Sequence, residues 1–245
     1  MATGIGDIEP GRVSRYVEAD STALARRISR AQTIHEKLHL IAAFGNYPWG
    51  PGEVFRYRSS DTILLTIAMD RLIKNKEGQS ASLWRFFTRE VLNPIGITRM
   101  PILHTKEPRG TSGIPLLDTG MLPTLDEVAK LAKLLRDGGR HHGMQILSAT
   151  KLGEAFGKTM SSGLTTGWRI ADGETYYHMS LWLHPFRANS GRLMRIPAMS
   201  GHGGNYVIIM PNNIIVFRFA DGRYNRPGTW DSSGLRKVVD YIRSF

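Results

Sequence analysis

Apolar spacing changes character near residue 163, and that change constrains the fold more than any other feature of these 245 residues. Before it, apolar residues recur at helical intervals. Leu24, Ile28, Leu38 and Ile41 share a stripe within residues 21–44, and Leu64, Leu65, Ile67, Ala68 and Leu72 suit a helix starting near Ser60. Ser59 or Ser60 is expected to cap that helix, with Asp61 favourable in its first turn. A third helix is expected over residues 80–92, before Asn93-Pro94. Thr124 followed by Glu127 is a capping box, and it opens a helix that Gly138-Gly139 ends. A short helix is expected at 148–157. After residue 163 strand-like segments follow at 165–171, 175–184, 192–199, 204–210 and 213–220. Pro211-Asn212-Asn213 reads as a hairpin turn. A last amphipathic helix carries Leu235, Val238, Val239 and Ile242. Helices, then an antiparallel meander, then one helix predict an α+β fold. One domain over 1–245 is expected, helical over about 20–160 and stranded over about 161–245.

Composition removes several classes of chemistry. Cysteine is absent, which excludes disulfides, thiolate nucleophiles and cysteine metal sites. No apolar run reaches 18 residues, so no membrane-spanning helix is expected. Residues 1–10 lack the basic start and apolar stretch of a secretory signal. The formal charge of +11 would attract anions. The cations are scattered, apart from Arg26, Arg27 and Arg30 and from Arg218, Arg223 and Arg226. A basic protein surface explains them without a specific nucleic-acid site; a non-catalytic basic binding domain is an alternative reading. Residues 98–122 are too long for a simple connector and read as a functional or inserted loop.

Two segments carry candidate chemistry. In PGEVFRYRSSDTILL (51–65), Tyr57 stands between a Pro-Gly turn and a helix start. Helix amides and nearby cations favour a phenolate, which suits general-base work. In SGHGGNYVIIMP (200–211), Gly201, Gly203 and Gly204 flank His202 ahead of an apolar strand. Glycines there permit close approach of a ligand, and backbone N–H groups can hold an oxyanion.

Other patterns carry less. His35-Glu36-Lys37-Leu38-His39 has the spacing of a zinc-peptidase helix, with both imidazoles on one face and Glu36 to activate water. A zinc peptidase is therefore an alternative, although Lys37 would set a cation beside the metal and no clear third ligand follows. GEAFGKT (153–159) is one residue short of a phosphate-binding loop. Lys158-Thr159-Met160 lacks the glycine of a Lys-Thr-Gly motif, and His141-His142 reads as an exposed turn. Trp168, Trp182, Tyr176 and Tyr177 fit sheet packing.

Taken together, the Tyr57 and His202 segments resemble the β-lactamase-related serine hydrolases. That group includes class C β-lactamases, penicillin-binding D-alanyl-D-alanine peptidases, esterases and 6-aminohexanoate-dimer hydrolases, and the wording PGEVFRYRSSDT is most similar to the last branch. Tyr57-Arg58-Ser59 resembles the family's second motif and His202-Gly203-Gly204 its third. NPIGI (93–97), GMLPTLDEVAKLAKLLRDGG (120–139) and QILSATKLGEAF (145–156) resemble the stretches between them, so the likeness runs over residues 20–245. The resemblance implies amide or ester hydrolysis through an acyl-enzyme, without a cofactor or metal. Tyr57 and a lysine would manage the serine proton, Ser59 would orient Tyr57 or substrate, His202 would bind or polarise substrate, and the Asn205 N–H would be an oxyanion donor. It also implies that Tyr57 and His202 face a common cleft.

The nucleophile is where the pattern departs. Nothing upstream of Tyr57 reads Ser-x-x-Lys, and the single match, Ser148 to Lys151, falls where a helix cap is expected. The reading is thus a C-terminal portion of the fold, inactive alone and lacking the nucleophile segment. Self-association or a complementing N-terminal segment is the expected consequence of unpaired strand edges. The substrate is expected to be a small amide or ester. A cytoplasmic location fits the residues present, and a periplasmic one fits if an N-terminal segment is missing.

Overall fold

The computed structural model describes residues 26–42, 52–55, 57–157, 163–170, 173–187, 191–201, 205–211 and 213–219. The expected helix near residues 235–242 lies outside them. The chain divides into two compact units, Met1–Glu127 and Val128–Phe245. Among the described residues no helix is long and apolar enough to cross a membrane.

In the first unit, the helix expected over 21–44 is two pieces. A helical segment covers residues 26–30, and α1 spans Ile34–Ala42. The break between them is held by distant residues: Lys106 N–H donates to Gln32 O and Ile34 N–H to Glu107 Oε1. α2 covers Ser59–Glu77. Its Asp70 accepts from Leu83 N–H at 2.9 Å, so one helix caps the start of the next, α3 (Leu83–Phe87). Beyond α3 the chain continues through a π-turn, Thr88–Leu92, and a 3-10 turn, Asn93–Ile95. The helical course therefore passes the expected stop at Asn93. Pro94 fits because the first positions of a 3-10 turn need no N–H donor, and Gly96, at φ 73°, ends it. Ile28, Ile41, Ile63, Ile67 and Ile114 form the core of this unit.

Residues 98–122 are ordered into a small sheet rather than a plain loop. β1 (His104–Lys106) pairs antiparallel with β2 (Ser112–Pro115), and Ile102 bridges to Met121. The pairing was hidden in the sequence because the strands are only three and four residues long.

α4 spans Leu125–Arg136. Its capping box is formed as expected: Thr124 N–H donates to Glu127 Oε2 at 2.6 Å and Glu127 N–H to Thr124 Oγ1 at 3.3 Å. Glu127→Ala should cost about 1 kcal/mol, read as a lowered urea midpoint at unchanged slope.

The second unit holds a six-stranded antiparallel meander in which each strand lies beside its neighbours in sequence. The strands are β5 (Leu164–Ile170), β6 (Gly173–His178), β7 (Leu181–Arg187), β8 (Leu193–Gly201), β9 (Asn205–Ile209) and β10 (Ile215–Arg218). A two-residue ribbon, β3 (Arg140–His141) with β4 (Met144–Gln145), and a short helix, α5 (Ala149–Ala155), precede it. The segment expected as one strand, 175–184, is two strands. They turn at Met179 and Ser180, whose φ angles are 45° and 67°. Non-glycine residues rarely adopt positive φ, so no Gly or Asn marked the turn. The hairpin at 211–213 is present: Ile209 pairs with Ile215, and Met210 N–H donates to Ile214 O. On one face of the sheet Leu181, Leu183, Tyr176 and Met199 pack with Ala155 and Phe156 of the α5 region.

Candidate functional site

The chain reaches Tyr57 through Gly52, whose φ of 87° fits the expected turn. Arg58 is extended, at φ −144° and ψ 133°, and the helix begins at Ser59. Arg58 therefore holds the N-cap position, without a side-chain cap bond, and the expected serine cap is not formed. The extended backbone at 58 has already carried both serines into the first turn. Asp61 N–H closes that turn on Arg58 O at 3.2 Å. The Asp61 side chain is buried there, at the positive end of the helix dipole. Tyr57 is 56% exposed, and Ser59 beside it is exposed.

In the second unit, Gly201 pairs with Asn205 and Ser200 with Tyr206. The β8–β9 ladder thus closes on either side of residues 202–204. His202, Gly203 and Gly204 themselves lie outside the described residues. Asn205 is the first residue of β9 and half-buried.

Ser148, in the chain's one Ser-x-x-Lys, is a helix cap. It accepts from Lys151 N–H at 3.3 Å, and the Lys151 ammonium bonds Glu154 at 2.8 Å. The serine hydroxyl faces a backbone amide, not the lysine amine that would activate it.

The zinc-peptidase alternative loses its general base. Glu36 accepts from Gln32 N–H at 2.8 Å and Thr33 N–H at 3.0 Å, while Glu36 N–H donates to Thr33 Oγ1. It is a capping-box residue, and the Thr33 amide, then the Gln32 amide, hold its pKa below the ordinary carboxylate range. His35 and His39 are exposed. Among the described residues no three His, Asp or Glu side chains gather as a metal site.

Lys37, at the centre of that pattern, is the residue turned inward. It is 3% exposed, and its Nζ donates to Ile28 O at 2.7 Å. Burial lowers its pKa, and the charge of Asp118 partly offsets this. Burial raises the Asp118 pKa in turn. The signal in the sequence was position: Lys37 falls three residues after Ile34 and four before Ile41, on the apolar stripe. His184 is a second buried titratable group that the sequence did not single out. It lies on β7, with Thr175 Oγ1 at 3.5 Å from Nδ1, and burial pulls its pKa down to about 4. Trp182 is buried against Tyr177, ring centroids 5.0 Å apart, so this pair packs on the sheet as expected.

No family model matches the sequence, and no curated protein matches it. Solved structures do. The chain is similar over 100% of its length to a Bacillus anthracis protein provisionally assigned as a 6-aminohexanoate-dimer hydrolase, with a TM-score of 0.63 and 16% identity. The fold is β-lactamase-like. The chain spans 58% of the length of that neighbour.

Proposed function

We propose that this chain is a serine-hydrolase-type domain, descended from enzymes that cleave amides or esters through an acyl-enzyme, and that by itself it does not acylate. The observation that carries the reading is the similarity of fold along the whole chain. The residues of the Tyr57 and His202 segments support it. In this reading the chain is one incomplete domain, and small amides or esters are its ligands. Tyr57 takes part in proton transfer, Ser59 orients it or the substrate, and His202 with Gly203 and Gly204 binds the acyl carbonyl. The Asn205 N–H donates to the developing oxyanion. The 6-aminohexanoate-dimer branch is the nearest chemistry by sequence wording.

Two measurements test this. Incubation with a fluorophosphonate probe, an activated ester and a chromogenic cephalosporin is expected to leave the mass of the protein unchanged. A stoichiometric adduct on any serine would remove the claim of inactivity. In NMR titrations, a neutral ester is expected to bind reversibly, and Tyr57→Phe and His202→Ala to weaken it. Binding indifferent to both variants would count against the assigned site.

A further inference from the structure

We infer that two copies of this chain associate through α2, packed antiparallel about a twofold axis between Ala68 and Met69. The association does not depend on the hydrolase reading.

α2 is apolar on two sides. Ile63 and Ile67 face the core of the first unit, and Thr66, Asp70 and Ile73 are buried with them. The buried polar groups on that side are bonded: Thr66 Oγ1 donates to Thr62 O, and Asp70 accepts from Leu83 N–H and pairs with Lys74. The other side carries Leu65, Met69 and Leu72, which are 44%, 39% and 52% exposed, with Ala68 exposed between them. Spacings of three and four residues put these four on one stripe about two turns long. A surface helix keeps its outer face polar, so an apolar outer stripe calls for a second partner.

The stripe is its own complement. Leu65 and Leu72 lie equally far from the point between Ala68 and Met69. A twofold axis through that point lays Leu65 of one copy on Leu72 of the other and Ala68 on Met69, and self-complementarity of this kind defines an isologous interface. Ala68 is small, so the helix axes can approach at the centre while Met69 fills the space beside it. Charge fixes the direction. Four residues beyond either end of the stripe stand Asp61 and Lys76. Antiparallel packing brings the carboxylate end of one copy to the ammonium end of the other, whereas parallel packing would set like charges together. Leu103, Leu122 and Leu125 are exposed as well, but they come from separate segments and carry no such symmetry.

Sedimentation equilibrium of the full chain reads the association. The wild type is expected to pass from monomer to dimer with a Kd on the order of 10 μM, because two helical turns fall short of a standard interface. Leu72→Glu should raise that Kd at least about tenfold by burying an unpaired charge, with the melting temperature of the dilute protein unchanged. Leu125→Glu, at a leucine no less exposed, should leave it as it is. Because the chain has no cysteine, introduced thiols report the direction of packing. Leu65→Cys mixed with Leu72→Cys should cross-link under a mild oxidant. Neither alone should, since like positions stand about 10 Å apart along an antiparallel seam. Cross-linking of each variant with itself in preference to the mixture overturns the antiparallel pair. If Leu72→Glu leaves the association intact, or Leu125→Glu abolishes it, another surface carries it and the inference falls. A wild type that stays monomeric at every concentration leaves the stripe to a different polypeptide and also overturns it.

Discussion

Lys37→Ala is expected to destabilise the protein by about 3 kcal/mol, measured by urea unfolding. Lys37 is buried in the first unit, bonded to Ile28 O and under the influence of the Asp118 carboxylate. Alanine leaves that carbonyl without its donor, at about 1–3 kcal/mol, and removes a cation whose charge partly offsets the burial of the Asp118 carboxylate. It also empties the space of the lysine stem. Lys37→Met keeps the stem and should lose less than half as much. Adding Asp118→Asn to Lys37→Met should recover part of the rest, because the orphaned charge is then gone. Strictly additive effects would show that the two residues are not coupled.

The same pair sets a pH dependence, and its sign follows from the shifts. Asp118 has a raised pKa in the folded chain, so the folded state holds a proton that the unfolded state has lost. Stability is therefore highest below the ordinary carboxylate value and falls as pH rises through the raised one. Lys37 has a lowered pKa, so its penalty is full below that value and is relieved as pH climbs toward the ordinary lysine range. Asp118→Asn should flatten the acid limb of the stability profile and leave the alkaline limb in place.

Leu183→Ala should cost about 2–5 kcal/mol. Leu183 is 0% exposed in the middle of β7, within a cluster of Ala155, Leu181, Phe156, Tyr176 and Met199. There is little slack to close the cavity, since a methyl group on Gly157 would already stand 2.9 Å from Leu183 Cδ1. Leu193→Ala, 52% exposed at the start of β8, is the control and should fall within about 0.5 kcal/mol of wild type. Equal effects at the two positions would mean that the sheet face is not the packed surface described.

Legibility divided along the range of the interactions. The Thr124–Glu127 box, the Ser148 cap and the turn after Ile209 were readable because each is made by groups a few residues apart. The inward turn of Lys37 was readable only as a charge in an apolar stripe, and its partners Ile28 and Asp118 lie nine residues before and far downstream. The split of α1 from residues 26–30 is made locally by the Thr33–Glu36 capping box, and it is also held by Lys106 and Glu107, more than 70 residues away in sequence. No local pattern encodes such a contact.

The candidate site shows the same division. Residue type and order nominated Tyr57, Ser59 and the His202–Asn205 segment, and the absence of an upstream Ser-x-x-Lys is a property of the letters alone. Strand register, by contrast, closed β8 onto β9 on either side of residues 202–204, through the pairs Gly201–Asn205 and Ser200–Tyr206. Periodicity and capping are short-range and survive in one dimension, so the chain's α+β character and the starts of α4 and α5 were determined by sequence. Which residues stand side by side across a sheet, and which charge is driven inward, were decided only when distant backbone and side-chain groups had to share one interior.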